Sequence, residues 1–123
     1  MDSMHMPAAA IKRAASMKPP ELAAELIGHL GLTLTAAIGG AKDTRSARDW
    51  AAGDRKPQRV QALRSALQAT LAIASIHDDE SAQSWFTSTN PDLDWRSPLA
   101  FIRDANEIND YDRLVSIAVQ DVS

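Results

Sequence analysis

The sequence contains no cysteine, which removes disulfides, thiolate metal sites and cysteine nucleophiles together. Aromatic residues are few, with three Trp, two Phe and one Tyr in 123 residues. Runs of β-branched residues are missing, while Ala and Leu recur throughout, a balance that favours helix over sheet. No apolar stretch reaches membrane-spanning length. The first twenty residues, MDSMHMPAAAIKRAASMKPP, lack the apolar centre of a signal peptide. The expectation is a cytoplasmic protein without a membrane partner. Phosphate-loop, H-x-x-x-H and Ser-His-Asp patterns are also missing, so neither catalysis nor a cofactor is expected.

What is present is enough apolar residue, 45% of the chain, to fill the interior of one ordinary domain. The formal net charge of −3 conceals an asymmetry. Between Lys42 and Arg64 seven basic residues face three acidic ones, giving +4. From Ser65 to Ser123 three basic residues face ten acidic ones, giving −7, and the first 41 residues balance. A basic middle beside an acidic end suits one face to polyanions and another that repels them. Two differently solvated surfaces would give the same pattern.

Residues 1–19 show no sustained period and read as a flexible arm. Leu22, Leu26, Ile27 and Leu30 predict a helix from just after Pro19-Pro20 to about Gly31. A short helix follows near 33–39 and is broken by Gly39-Gly40. The next spans about 44–52, with Asp43 or Thr44 as its N-cap and Gly53 past its end. The longest runs from about Pro57 to Ile76 with two apolar stripes, one containing Leu63 and Leu67. A helix that apolar is touched from two sides, either centrally within the chain or by a second copy in a homodimer. Further helices are expected at about 79–86, 98–103 and from 110, with Ser97-Pro98 reading as an N-cap and first-turn proline. The fold class is therefore all-α. The arm precedes a helix-turn-helix region with its central helix at 20–76 and a smaller helical region at 77–123.

The two short helices carry the functional reading. In a helix-turn-helix the second helix is buried on one side and meets DNA with the other. Ala47 and Trp50, three apart, share the inner face above Ile38 of the preceding helix. Lys42, Thr44, Arg45, Ser46, Arg48 and Asp49 are left as candidate DNA contacts. Arg45 and Arg48 suit guanine edges or phosphates, and Arg55, Lys56 and Arg59 suit the backbone. The cluster His77-Asp78-Asp79-Glu80 is the one candidate for metal or acid–base chemistry. Adjacent helical residues diverge, and acidic residues at a helix start need only the helix dipole. Neither a metal site nor an enzyme is expected.

The W-x-x-G pattern at Trp50 and Gly53, with Pro57 four residues on, resembles the Xre/Cro-like repressor helix-turn-helix. It departs from that pattern in placing Ala41 where glycine is preferred and Lys42 where an apolar residue is usual. The Gly39-Gly40 pair just before them offers a one-residue shift of the turn. The run from Ser84 to Asp104, with Trp85-Phe86, then Asn90-Pro91-Asp92-Leu93, then Ser97-Pro98, resembles the toxin-binding domain of Xre/MbcA/ParS antitoxins. The resemblance covers about residues 21–119 and departs at Asp94-Trp95, where small or polar residues are usual.

The resemblance implies an antitoxin of a type II pair. Its C-terminal half would neutralise a RES-type, NAD-depleting toxin, and its helix-turn-helix would bind operator DNA to repress its own operon. The rival readings are a stand-alone helix-turn-helix regulator without a toxin and a protein-interaction module with a merely solvated basic helix. Toxin contacts are expected at Asp92, Asp94, Trp95, Arg96, Asp110, Arg113 and Ser123, since an aromatic and an arginine on a loop are typical interface anchors. Ile38, Ala47, Trp50, Leu63, Leu67, Trp85, Phe86, Leu93, Leu99 and Ile102 are expected in the core.

Overall fold

A computed structural model describes residues 5–122, with side chains from residue 8. Among these residues the chain is all-α, with eight α-helices, one 3-10 turn and a single isolated bridge between Asn90 and Arg96 in place of any strand. The helices are α1 (His5–Ala15), α2 (Pro19–Leu30), α3 (Leu32–Ile38), α4 (Thr44–Ala52), α5 (Val60–Ala74), α6 (Asp79–Thr87), α7 (Pro98–Asp104) and α8 (Ile108–Asp121).

Local chemistry sets most of the boundaries. Pro19 and Pro20 open α2, where a missing N–H costs nothing, and the Glu21 carboxylate accepts from the Lys18 N–H. Asp43, Asp78 and Ser97 cap α4, α6 and α7, each accepting a backbone N–H three residues on. Gly31 ends α2 at φ 89° and Gly53 ends α4 at φ 82°, conformations that a side chain would strain.

The central position falls to α5, which touches α1, α2, α3, α6, α7 and α8. Ten of its fifteen residues are buried, Leu63, Leu67, Leu71 and Ile73 among them. Full burial of each such side chain stabilises by about 1.5–3 kcal/mol. Within the chain its apolar stripes are covered by these helices. The segment read as a flexible arm is in large part α1, lying along α5 with Ala14 and Met17 buried. Gln68 on α5 donates to the Ile11 carbonyl at 3.0 Å, and Arg64 to that of Met17 at 2.7 Å. Residues 1–4 lie outside the described residues.

Of the expected core, Ile38, Ala47, Trp50, Leu63, Leu67, Phe86, Leu93 and Ile102 are buried in one cluster that draws on every helix. Trp85 and Leu99 pack against that cluster only half-buried. The indole of Trp85 meets Phe86 edge-on, with centroids 5.0 Å apart, and keeps its N–H at the surface.

Candidate functional site

The first candidate surface is built by α3, its turn and α4. The turn closes α3 by donating the Ala41 N–H to the Ala36 carbonyl and the Gly40 N–H to that of Ala37. The left-handed residue between them is Gly40, at φ 81°. The glycine of the turn thus sits one residue before Ala41, and Lys42 is freed to solvent. Trp50 then packs over the turn so closely that a Cβ on Gly39 would lie 2.4 Å from its ring. With Ala47 and Trp50 buried, α4 turns Arg45 and Arg48 outward.

The expected DNA contacts divide once their partners are known. Lys42, Arg48 and Lys56 are exposed and carry no hydrogen bond or ion pair among the described residues, and Arg45 carries none beyond its pull on Asp43. Thr44 and Asp49 are half-buried at the edge of this face. Ser46 was expected outside and is buried instead. Its hydroxyl donates to the Asp43 carboxylate at 3.1 Å and accepts from Arg55 at 3.3 Å. Arg55 also faces Asp49 at 3.7 Å, so part of its charge is spent on α4 itself.

Arg59, expected at the DNA backbone, is turned away from this face instead. Its guanidinium turns inward and donates to the carbonyls of Ile102 and Ala105 at 2.8 and 2.6 Å, with a longer contact to Ile38 at 3.4 Å. It closes the C-terminus of α7 against the end of α3 and has no fork left for a phosphate. The backbone N–H of Ser46 is the main cause that holds the Asp43 carboxyl below its ordinary value, its hydroxyl and the charges of Arg55 and Arg45 adding to it. The cap therefore stays ionised. Between the turn and the segment after α4 lies an open cleft of about 360 Å³, bordered by Gly40, Lys42, Asp43, Arg55, Lys56 and Gln58.

The second candidate surface is the loop from Asn90 to Arg96. Asn90 organises it. Its carbonyl accepts from Leu93 and Trp95, its N–H donates to Arg96, and its side chain caps the 3-10 turn Pro91–Leu93. Its amide also donates to Asp121, the carboxylate that accepts from the Trp85 indole at 2.8 Å. Leu93 plugs the loop into the core. At the tip Asp94 and Trp95 both adopt left-handed backbone, at φ 56° and 67°. For a bulky residue such as Trp that conformation costs of order 1–3 kcal/mol.

The tip leaves Trp95 69% exposed. Asp92 and Asp94 are exposed beside it. The two arginines expected to join it are otherwise engaged. Arg96 pairs with Asp104 and donates to the Ala100 carbonyl, and Arg113 donates to the Asp92 carbonyl at 2.6 Å. Both guanidiniums lie over the Phe101 ring, at 5.9 and 5.7 Å from its centroid. Asp110 is half-buried at the start of α8, and Ser123 lies outside the described residues. Sequence reading missed Asp104 and Asp121, whose partners are 8 and 36 residues away.

The cluster at 77–80 disperses. Asp78 caps α6, and Asp79 faces His29 of α2 at 2.6 Å. His77 and Glu80 are exposed, and no group of three potential ligands converges among the described residues. No helix of the described residues is long and apolar enough to cross a membrane. No protein-family model, no curated protein and no solved structure matches this chain.

Proposed function

We propose that this chain is a DNA-binding antitoxin, in which α3 and α4 form a helix-turn-helix and the helices from α6 onward hold the surface for a toxin. The reading rests on one observation above all. The Gly39-Gly40 turn and the buried Ala47 and Trp50 fix α4 so that Arg45 and Arg48, flanked by Lys42 and Lys56, face outward without an ion-pair partner. Free arginines on an exposed short helix suit base edges in a major groove, and the flanking lysines suit phosphates. Two copies reading paired half-sites extend the proposal, with contacts away from the α5 face that α1 covers. The toxin-binding half is supported by the loop resemblance and by the acidic charge of residues 65–123. A RES-type toxin is the partner the resemblance implies.

The test is retardation of DNA from upstream of the gene, measured across salt concentrations. The expected result is affinity that falls linearly with log salt, and a loss of about 1–3 kcal/mol for Arg45→Ala or Arg48→Ala where the arginine reads a base. Undiminished binding by both variants would remove α4 as the reading element. Co-expression with the neighbouring gene tests the other half, with relief of that gene's toxicity expected. A neighbour without toxicity leaves the stand-alone regulator.

A further inference from the structure

We infer that the tip of the 90–96 loop is a preformed aromatic knob for a protein partner that presents an apolar pocket rimmed by lysine or arginine. The inference rests on the toxin-binding reading and specifies the chemistry of that face. Trp95 is the most exposed of the large hydrophobic side chains described, and its indole N–H has no acceptor among the described residues. The loop beneath it does not have to order on binding. Leu93 anchors it, the Asn90 carbonyl fixes the Trp95 N–H at 2.9 Å, and Asp121 holds the Asn90 amide. A rigid aromatic loses little entropy in a complex, which is why such residues dominate interface energetics.

The charge beside the knob decides between partners. The two nearby arginines are held within the chain, Arg96 paired with Asp104 and Arg113 oriented by the Asp92 carbonyl and the Phe101 ring. Among the described residues the carboxylates of Asp92 and Asp94 carry no ion pair. They outnumber the one cation, Arg113, whose charge no carboxylate neutralises, so the net charge next to the indole is negative. Phosphates of a nucleic acid or an anionic lipid would be repelled at this position. A pocket with a cationic rim would satisfy both carboxylates. The surface is therefore aromatic and acidic, with its arginines acting as supports.

The experiment pans a phage-displayed random peptide library on the immobilised full chain and titrates the recovered peptides against variants. The expected peptides combine apolar residues with Lys or Arg. Their affinity falls at least tenfold for Trp95→Gly, and their salt dependence flattens for the double variant Asp92→Asn, Asp94→Asn. Glycine suits the left-handed backbone at position 95, so circular dichroism of Trp95→Gly is expected to match the parent chain. Asp94→Gly serves as a second variant that also keeps the backbone. No recovered peptide, peptides indifferent to Trp95→Gly, or acidic peptides would overturn the inference. A neighbouring toxin neutralised equally by parent and Trp95→Gly would also overturn it while leaving the antitoxin reading standing. Peptides that depend on Trp95, with no toxin encoded nearby, would do the reverse.

Discussion

At Gly39 the constraint is space, and at Gly40 it is backbone conformation. The first has an ordinary φ of −77°, but its missing side chain is where the Trp50 ring lies. The second sits at φ 81°, and an added Cβ would stand 3.2 Å from Cδ of Arg59. Replacing Gly39 by alanine must displace Trp50, the residue that seats α4. Overpacking of this kind costs about 1–3 kcal/mol, or roughly 4–12 °C in melting temperature for a domain of this size. Gly28 is the control. It lies inside α2 with nothing within 4 Å of an added Cβ, so Gly28→Ala should raise stability by about 0.5–1 kcal/mol. Thermal denaturation followed by circular dichroism checks both directions. Equal responses at the two positions would show that Trp50 does not pack as described.

Among the elements, those with strong local signals were legible in the sequence. Prolines, capping residues and apolar spacing located α2, α4, α6 and α7 to within a few residues. The central helix was expected from Pro57 but begins at Val60, with Arg59 in non-helical backbone (φ −105°, ψ 59°) as its N-cap. Helix α1 was not legible, since its apolar face is mostly alanine and carries no large aliphatic residue besides Ile11. Its docking depends on residues of α5 more than fifty positions away. The same reasoning explains why Ser46 and Arg59 were placed outside: composition shows a hydroxyl or a charge, and only the fold shows where it is spent. Removing residues 1–15 tests the role of α1. Stability should fall, and the truncated chain should self-associate with rising concentration beyond the intact chain, measured by light scattering after size exclusion. Unchanged melting would mean that α5 does not need that cover.

Over the whole molecule the charge asymmetry survives folding, but with fewer free charges than the sequence suggests. Of the seven basic residues between Lys42 and Arg64, Arg59 and Arg64 are turned to backbone carbonyls and Arg55 to Asp49 and Ser46. Lys42, Arg45, Arg48 and Lys56 remain for a polyanion. Arg59 matters most here, because its bonds join the end of α3 to the end of α7, and Tyr111 donates to the same Ala105 carbonyl. Arg59→Lys keeps the charge, but its shorter side chain ends in one nitrogen where the guanidinium uses two to span the carbonyls of Ile38, Ile102 and Ala105, so part of that bonding is lost. The expected cost is about 2 kcal/mol of stability, with Arg59→Ala no milder. Below the melting range, DNA affinity and its salt slope should stay at the parent's values for Arg59→Lys. A phosphate-gripping arginine would behave oppositely: its removal as Arg59→Ala would lower the slope by about one and spare stability. Measuring both properties on both variants separates an internal staple from a DNA contact, and a changed slope with unchanged melting would return Arg59 to the binding surface.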